Sequence, residues 1–324
     1  MTDARSPKNS IHFDHQNYQL MAKIGEGGFA TVYQAKQRNS GQQVAIKFLT
    51  LAEHNQHDQK QQARQNFERE ARLTAGLQHP NIVKLLDTGQ CRNHHTYAVF
   101  EYVSGETLQH HLAYSGALTT TVAVEIMAQV LDALAYAHLQ GVIHRDIKPA
   151  NIMLARTDGK LHAKILDFGI GTCLTTPSST PKQSNSHNDT LGTPAYSAPE
   201  QLRGEPNTTK TDIYAWGLVL LECLTGRPAI SGSNLRAIVD QQLHATNVPL
   251  PDGLIDTALG HFIRRVVNKN SEQRAGDARQ LHKELTQLPI TPAVIAPAHN
   301  NQHTNKPTDN TTLNQTQIYQ QLNL

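Results

Sequence analysis

His144-Arg145-Asp146-Ile147-Lys148-Pro149-Ala150-Asn151 is the stretch on which the reading of this chain turns. It carries a carboxylate at Asp146, a cation two positions on at Lys148, and an amide three further at Asn151. Pro149 lacks a backbone N–H and disfavours a helical residue before it, so these groups must sit on a shaped loop. A carboxylate can take a proton, an ammonium can neutralise an anion, and an amide oxygen suits a hard cation. A surface turn with chance charges would look similar, so the flanking sequence has to decide.

Working outward toward the N-terminus, Tyr18 to Ile24 leads into Gly25-Glu26-Gly27-Gly28-Phe29-Ala30-Thr31-Val32. A polar turn, Arg38-Asn39-Ser40-Gly41, precedes Val44-Ala45-Ile46-Lys47-Phe48. Apolar runs joined first through glycines and then through a polar turn predict an antiparallel sheet. The glycines let backbone N–H groups approach phosphate oxygens with no Cβ in the way. A strand rather than a helix follows, which excludes a dinucleotide fingerprint, and no Gly-Lys-Ser/Thr follows, which excludes a Walker A loop. Residues 58–77 space Ala63, Phe67, Ala71 and Ala75 four apart, an amphipathic helix ended by Gly76 and Pro80. Glu70 stands beside its inward face. Residues 82–86 and 96–103 read as two further strands.

Toward the C-terminus, residues 119–140 form a wide-faced apolar helix started by threonines and ended at Gly141. Ile152-Met153-Leu154 is a short strand, and Lys164-Ile165-Leu166 is a strand ending in Asp167-Phe168-Gly169. Residues 170–190 are rich in Ser, Thr, Pro, Asn and Gln and are longer than packing requires. They close on Gly192-Thr193-Pro194-Ala195-Tyr196-Ser197-Ala198-Pro199-Glu200. Further helices are predicted near 213–224, 233–243, 255–267 and 277–288.

Taken in order, these stretches resemble the protein kinase family over residues 18–288: the Gly-rich loop, V-A-I-K, H-R-D-x-x-x-x-N, D-F-G and A-P-E. One departure is Ala30 at the third glycine of G-x-G-x-x-G, where a methyl is tolerable past the tight turn. Another is Ser271, where the family often carries a proline shortly before its arginine, here Arg274. The resemblance implies an α+β, bilobal protein-kinase fold. A small lobe, residues 18–103, would hold a five-stranded antiparallel sheet and one helix (the family's C helix), and a larger, mainly helical lobe would span 104–288.

By resemblance, Asp146 orients and deprotonates a substrate hydroxyl, and Lys148 neutralises the transferred group. Lys47 holds the α/β-phosphates and is itself held by Glu70, and Thr193 belongs to the catalytic set. ATP would lie against Ile24, Gly25, Glu26, Gly27, Gly28, Phe29, Ala30, Thr31, Val32, Ala45 and Lys47. Phe100 would be the gatekeeper, backbone groups of Glu101 and Val103 would bond the adenine edge, and Met153 would lie beneath it. Asn151 and Asp167 would bind Mg2+, with Mn2+ an alternative. Asp212, which with Gly217 fits D-x-x-x-x-G, would brace the catalytic loop, and Arg274 would pair with Glu200. Lys148 and the Gly-Thr-Pro-x-Tyr segment resemble the serine/threonine class. The Asp-Ile-Lys-Pro-Ala-Asn wording is similar to bacterial members. Phosphorylation of the 170–190 loop, Thr190 being one candidate, would give Arg145 a partner, and self-association would allow it in trans.

Composition sets the limits around this reading. The 324 residues are 38% hydrophobic and 17% charged with a formal net charge of +2, which gives no nucleic-acid or anionic-membrane surface. Cys91, Cys173 and Cys223 form no C-x-x-C, which favours a reducing, cytoplasmic setting. The run 213–224 contains Gly217 and Glu222 and is too short to span a bilayer. The pairs His94-His95 and His110-His111 are expected to be solvated. Residues 1–17 are expected to be a flexible arm, and 289–324 a polar tail or linker. Two rivals stand beside a protein kinase. A pseudokinase scaffold would usually lack Lys47, Asp146 or Asp167, and a small-molecule kinase would lack the Ala-Pro-Glu segment that docks a polypeptide.

Overall fold

The computed structural model describes residues 13, 16–27, 30–49, 57–91, 96–168 and 194–290. They fall into two compact units. The first holds the described residues up to 64 together with Leu85–Tyr102, and the second holds Gln65–Lys84 and 103–290.

The first unit is a five-stranded sheet in the order β1-β2-β3-β5-β4. The strands are β1 (Tyr18–Gly27), β2 (Ala30–Gln37), β3 (Gln43–Leu49), β4 (Leu85–Gln90) and β5 (Thr96–Glu101), each pair antiparallel. Side chains alternate between the two faces of a strand. Val44, Ile46 and Phe48 therefore share one face with their cross-strand partners Val99 and Tyr97 and, with Tyr18 and Ala35, form the buried core of this unit. Phe13, inside the stretch expected to be an arm, packs edge-on to Phe48 and Tyr97 with ring centroids 5.0 and 5.4 Å away. Tyr18 Oη donates to Asp87 Oδ2 at 3.1 Å, and burial plus that carboxylate push its hydroxyl up to about 12. The opposite face presents Ala45 and Lys47.

The helix α1 (His57–Ala75), which belongs to the second unit from Gln65 on, ends with Phe67, Ala71 and Thr74 buried and Ala75 exposed. The expected four-residue ladder is thus corrected at its last step: a 3.6-residue period turns the inward stripe to position 74. The strand expected over 82–86 is also corrected. Ile82 makes only a single parallel bridge to Ile165, and β4 begins at Leu85. The cause is Asn81, whose carbonyl accepts from Ile165 N at 2.8 Å while its side chain donates to Ala163 O at 2.7 Å.

There follow β6 (Glu106–Thr107), α2 (Leu108–Ser115) and α3 (Thr120–Leu139). The strands β7 (Ile152–Thr157) and β8 (Lys160–Ile165) complete a three-stranded sheet, β6-β7-β8. Asp158 and Gly159 have φ of 51° and 78°, and two residues with positive φ make the tight hairpin turn that fits strand twist. That Asp-Gly signal extends the strand expected only over 152–154. The remaining helices are α4 (Pro199–Leu202), α5 (Thr209–Thr225), α6 (Leu235–Leu243), α7 (Ala258–Val266) and α8 (Ala278–Gln287).

The core of this unit joins α3 and α5. Trp216 Nε1 donates to Met127 O at 2.8 Å. Gly217 is required by space, since a Cβ there would stand 2.6 Å from methyls of Val266 and Val267. By length and composition α3 could cross a membrane, but 61% of its most apolar window is buried inside the protein, as in a core helix.

The pair His110-His111 is not solvated as expected. His111 is buried, and both rings meet the Glu106 carboxylate, at 2.5 Å from His110 and 2.9 Å from His111. The two residues are adjacent, but α2 begins just before them and Glu106 precedes its first turn, so one carboxylate reaches both. Residues 94 and 95 lie outside the described residues.

Candidate active site

The loop 144–151 has the shape that Pro149 demands. Its last three residues, Pro149–Asn151, form one 3-10 turn leading into β7. Arg145 has φ 70°, a left-handed conformation that a side chain rarely adopts and that must be held by its surroundings. The holder is Asp212, on the first turn of α5. Its Oδ2 accepts from His144 N at 2.8 Å and its Oδ1 from Arg145 N at 2.7 Å. His138, in the last turn of α3, places Nε2 2.8 Å from the same Oδ2. His144 is itself fixed. Its Nε2 donates to Leu166 O at 2.7 Å, and its Nδ1 accepts from Asp146 N at 3.2 Å. One ring nitrogen donating and the other accepting defines a neutral tautomer.

On this support Asp146, Lys148 and Asn151 converge. Lys148 Nζ lies 2.8 Å from Asp146 Oδ2. Asn151 Nδ2 donates to Asp146 O at 2.8 Å and to Asp146 Oδ2 at 2.9 Å. The Asp146 side chain is 31% exposed, against 0% for Asp212. With its amide nitrogen committed to Asp146, Asn151 has its amide oxygen left for a cation. Leu166 N donates to Asn151 O at 2.8 Å, so the strand leading to Asp167 is tied to the same turn. Asp167 has φ 53°, a second strained position. Phe168 is buried with its ring 4.7 Å from that of His144, and its carbonyl accepts from Thr74 Oγ1 at 3.3 Å.

One carboxylate and one amide oxygen are hard donors suited to Mg2+, which keeps waters and takes phosphate oxygens for the rest of its shell. Among the described residues no group of three or more His, Cys, Asp or Glu could hold a metal ion, so a cation here would lean on its substrate.

In the first unit, Val32 lies directly opposite Lys47 across the β2–β3 pair, and Ala45 stands two residues from it. All three share one face, as do Ala98 and Phe100 on β5, which oppose Lys47 and Ala45. Ile24, Gly25 and Glu26 lie on β1 and Ala30 and Thr31 on β2, with Gly27 opposite Ala30. Glu101 ends β5 and Val103 follows it, both half-buried. Met153 lies on β7, buried. Gly28, Phe29, Thr193, Gly169 and Thr190 lie outside the described residues, as does the side chain of Glu70.

Behind the loop, Glu200 is buried and accepts from Arg274 Nη1 at 2.6 Å, Arg274 Nη2 at 3.0 Å and Thr211 Oγ1 at 3.0 Å. Burial alone would raise the Glu200 carboxyl, but the Arg274 bonds and charge reverse this and hold it below the usual range. The Arg274 guanidinium also lies over the Tyr214 ring, 4.7 Å from its centroid. Tyr196 Oη donates to Glu222 Oε2 at 2.5 Å. Burial pushes the Glu222 carboxyl up, with the Tyr196 bond offsetting only part of the rise. Gln201 caps α4 through Ala198 N and reaches Arg145 O at 2.9 Å.

Sequence reasoning missed His138, Thr74, Gln201 and Gln242 as supports. His138 had one signal, a polar ring in the last turn of an otherwise buried helix. The others are ordinary polar residues whose partners lie tens of positions away.

The protein kinase domain family matches residues 18–286. The chain is similar to the serine/threonine-protein kinase PrkC of Bacillus subtilis, 40% identical over 228 residues, covering 70% of this chain and 33% of that protein. It is 35% identical to the serine/threonine-protein kinase PkaA of Streptomyces coelicolor over 268 residues, covering 79% and 47%. It is 32% identical to the serine/threonine-protein kinase PknB of Mycobacterium tuberculosis over 295 residues, covering 87% and 45%. The chain therefore spans a third to a half of the length of these relatives.

Proposed function

This chain belongs to the protein kinase domain family, and from that premise we propose that it transfers the γ-phosphoryl group of ATP to serine and threonine hydroxyls of proteins. The observation that carries the reading is Asp146, half-exposed between Lys148 and Asn151 on a loop pinned by Asp212. The substrate hydroxyl oxygen bonds to the γ-phosphorus as the bond from that phosphorus to the β-bridging oxygen breaks. Asp146 orients the hydroxyl and takes its proton, and ADP carries away the bridging oxygen. Lys148 neutralises the equatorial oxygens of the moving group, where positioning and charge dominate over covalent help. Lys47 holds the α/β-phosphates, with Glu70 as its partner. Thr193 is assigned to the catalytic set by resemblance.

ATP is read against Ile24 to Val32, Ala45 and Met153, with backbone bonds from Glu101 and Val103 to the adenine. Mg2+ fits Asn151 and Asp167 and would supply charge neutralisation to the phosphates; Mn2+ can replace it. The 170–190 loop is autophosphorylated, in trans through self-association, with Thr190 a candidate and Arg145 as the phosphate's partner. Two features support the pairing: Arg145 is exposed, and its guanidinium has no ion pair among the described residues. The setting is a reducing, cytoplasmic one.

The purified chain incubated with radiolabelled ATP and Mg2+ should label itself or casein, and the Asp146→Ala chain should label neither. A wild-type chain that labels nothing would end this reading. Mass spectrometry finding full activity with the 170–190 loop unmodified would end the autophosphorylation part alone.

A further inference from the structure

Gln242 is fully buried in the last turn of α6, and neither the resemblance nor the chemistry above uses it. Its amide makes three hydrogen bonds, which use both N–H donors and one of the two lone pairs on the oxygen. Nε2 donates to Pro194 O at 3.2 Å and to Ala195 O at 2.9 Å, and Oε1 accepts from Tyr214 Oη at 2.6 Å. Two carbonyls can only accept, so they require the NH2 side of the amide, and its orientation follows from chemistry. Burial raises the Tyr214 hydroxyl well above its ordinary value, which keeps it protonated and a donor. Tyr214 in turn lies under Arg274, the partner of Glu200. A continuous polar chain therefore runs from the carbonyls of Pro194 and Ala195 through Gln242, Tyr214 and Arg274 to Glu200. The two carbonyls directly follow Thr193 in the chain and open the segment that ends in Ala-Pro-Glu.

We propose that Gln242 is a positioning residue for the protein substrate: it clamps the backbone at Pro194 and Ala195, so that the acceptor-docking end of the activation segment has one conformation. The clamp uses α6, outside the catalytic loop, as its anchor. That anchor is itself secured, because Lys269 Nζ donates to Gln241 O at 2.6 Å and to His244 O at 3.0 Å at the end of the helix. A buried carbonyl that loses its donor carries an unmet desolvation cost, so the backbone would move toward water when the amide is removed. The part of the inference that concerns substrate rests on the protein kinase reading; the clamp itself does not.

Gln242→Met keeps length and apolar bulk and removes all three bonds. Tyr214→Phe removes only the donor to Oε1, and it carries the test if the first variant does not fold. Two readouts are taken on the full chain: amide hydrogen exchange over 194–198, and initial-rate kinetics with casein and ATP. Gln242→Met should speed exchange over 194–198 and raise KM for casein about tenfold, the scale of one to two lost hydrogen bonds, with KM for ATP within about twofold. Tyr214→Phe should shift both in the same direction by less. Unchanged exchange in a folded variant overturns the clamp. Faster exchange with an unchanged casein KM, or with casein and ATP KM rising together, overturns the positioning role. A wild-type chain that phosphorylates neither casein nor itself overturns the kinase reading, and the exchange arm then still decides the clamp.

Discussion

The catalytic loop and the brace beneath it both depend on carboxylates, and they use them in opposite ways. Asp146 is 31% exposed, bonds among the described residues to near neighbours in its own loop, and sits beside a residue with φ 70°. Asp212 and Glu200 are 0% and 5% exposed, and each is surrounded by donors from distant parts of the chain. A carboxylate that has to exchange a proton needs spare acceptor capacity and access. One that has to hold backbone in a strained shape needs every lone pair engaged and water excluded. Strain in the loop is thus sustained by satisfied groups underneath it.

The sharpest way to break this contrast is Asp146→Ala. Phosphoryl transfer should fall by roughly 10²–10⁴-fold or beyond detection, while thermal unfolding shows a loss of less than about 1 kcal/mol. A large loss of stability would place Asp146 in the brace. Asp212→Ala should do the reverse. It leaves His144 N, Arg145 N and His138 Nε2 without their acceptor and should cost about 3–5 kcal/mol in denaturant unfolding. Asp212→Asn keeps one acceptor oxygen and should cost less; equal losses for the two would rule out hydrogen bonding as the cause.

Arg274→Met strands a buried Glu200 and should cost about 3–5 kcal/mol near neutral pH. The pH dependence has a definite sign. Glu200 is held below its ordinary value, so its contribution is complete above the ordinary carboxylate range and is lost as pH falls through the depressed folded value. The stability gap between wild type and Arg274→Met should therefore narrow as pH is lowered from about 7 to below about 4. A gap independent of pH would assign the loss to packing over Tyr214 instead.

The smallest effect separates a third carboxylate from both groups. Burial raises Glu222, so its contribution is present below the ordinary carboxylate pKa and is lost as pH rises through the raised value. Glu222→Gln keeps an acceptor for Tyr196 and should gain on the order of 1 kcal/mol at about pH 8, with the difference vanishing near pH 4. A loss at alkaline pH would show that the charge is wanted there.

Much of this arrangement was legible from residue order. The loop 144–151, the glycine-rich hairpin with Lys47, and Asp167-Phe168 occur in an order and at spacings that resemble the protein kinase family, whose match covers residues 18–286, and Pro149 required an irregular backbone. The buried helices α3 and α5 follow from apolar width, and the ends of α3 from its threonines and from Gly141; Gly226, which caps α5 in a left-handed conformation, was not read from the sequence. Where the reading slipped, the competing cause was local. Asn81 diverts the chain toward β8 in place of a strand at 82, and Glu106 draws in two histidines that adjacency had marked as solvated.

Residue order by itself determined which chemical groups are present, and through turn, capping and periodicity rules it determined the elements that carry them. Only the tertiary structure decided that His138, Thr74, Gln201 and Gln242 are supports too: His138 lies 74 positions from its partner Asp212, and Gln242 lies 47 from Ala195. A hydrogen bond acts over about 3 Å and leaves no periodic mark on the chain. The residue it recruits therefore cannot be told from a solvated one until folding removes the water that would otherwise satisfy it.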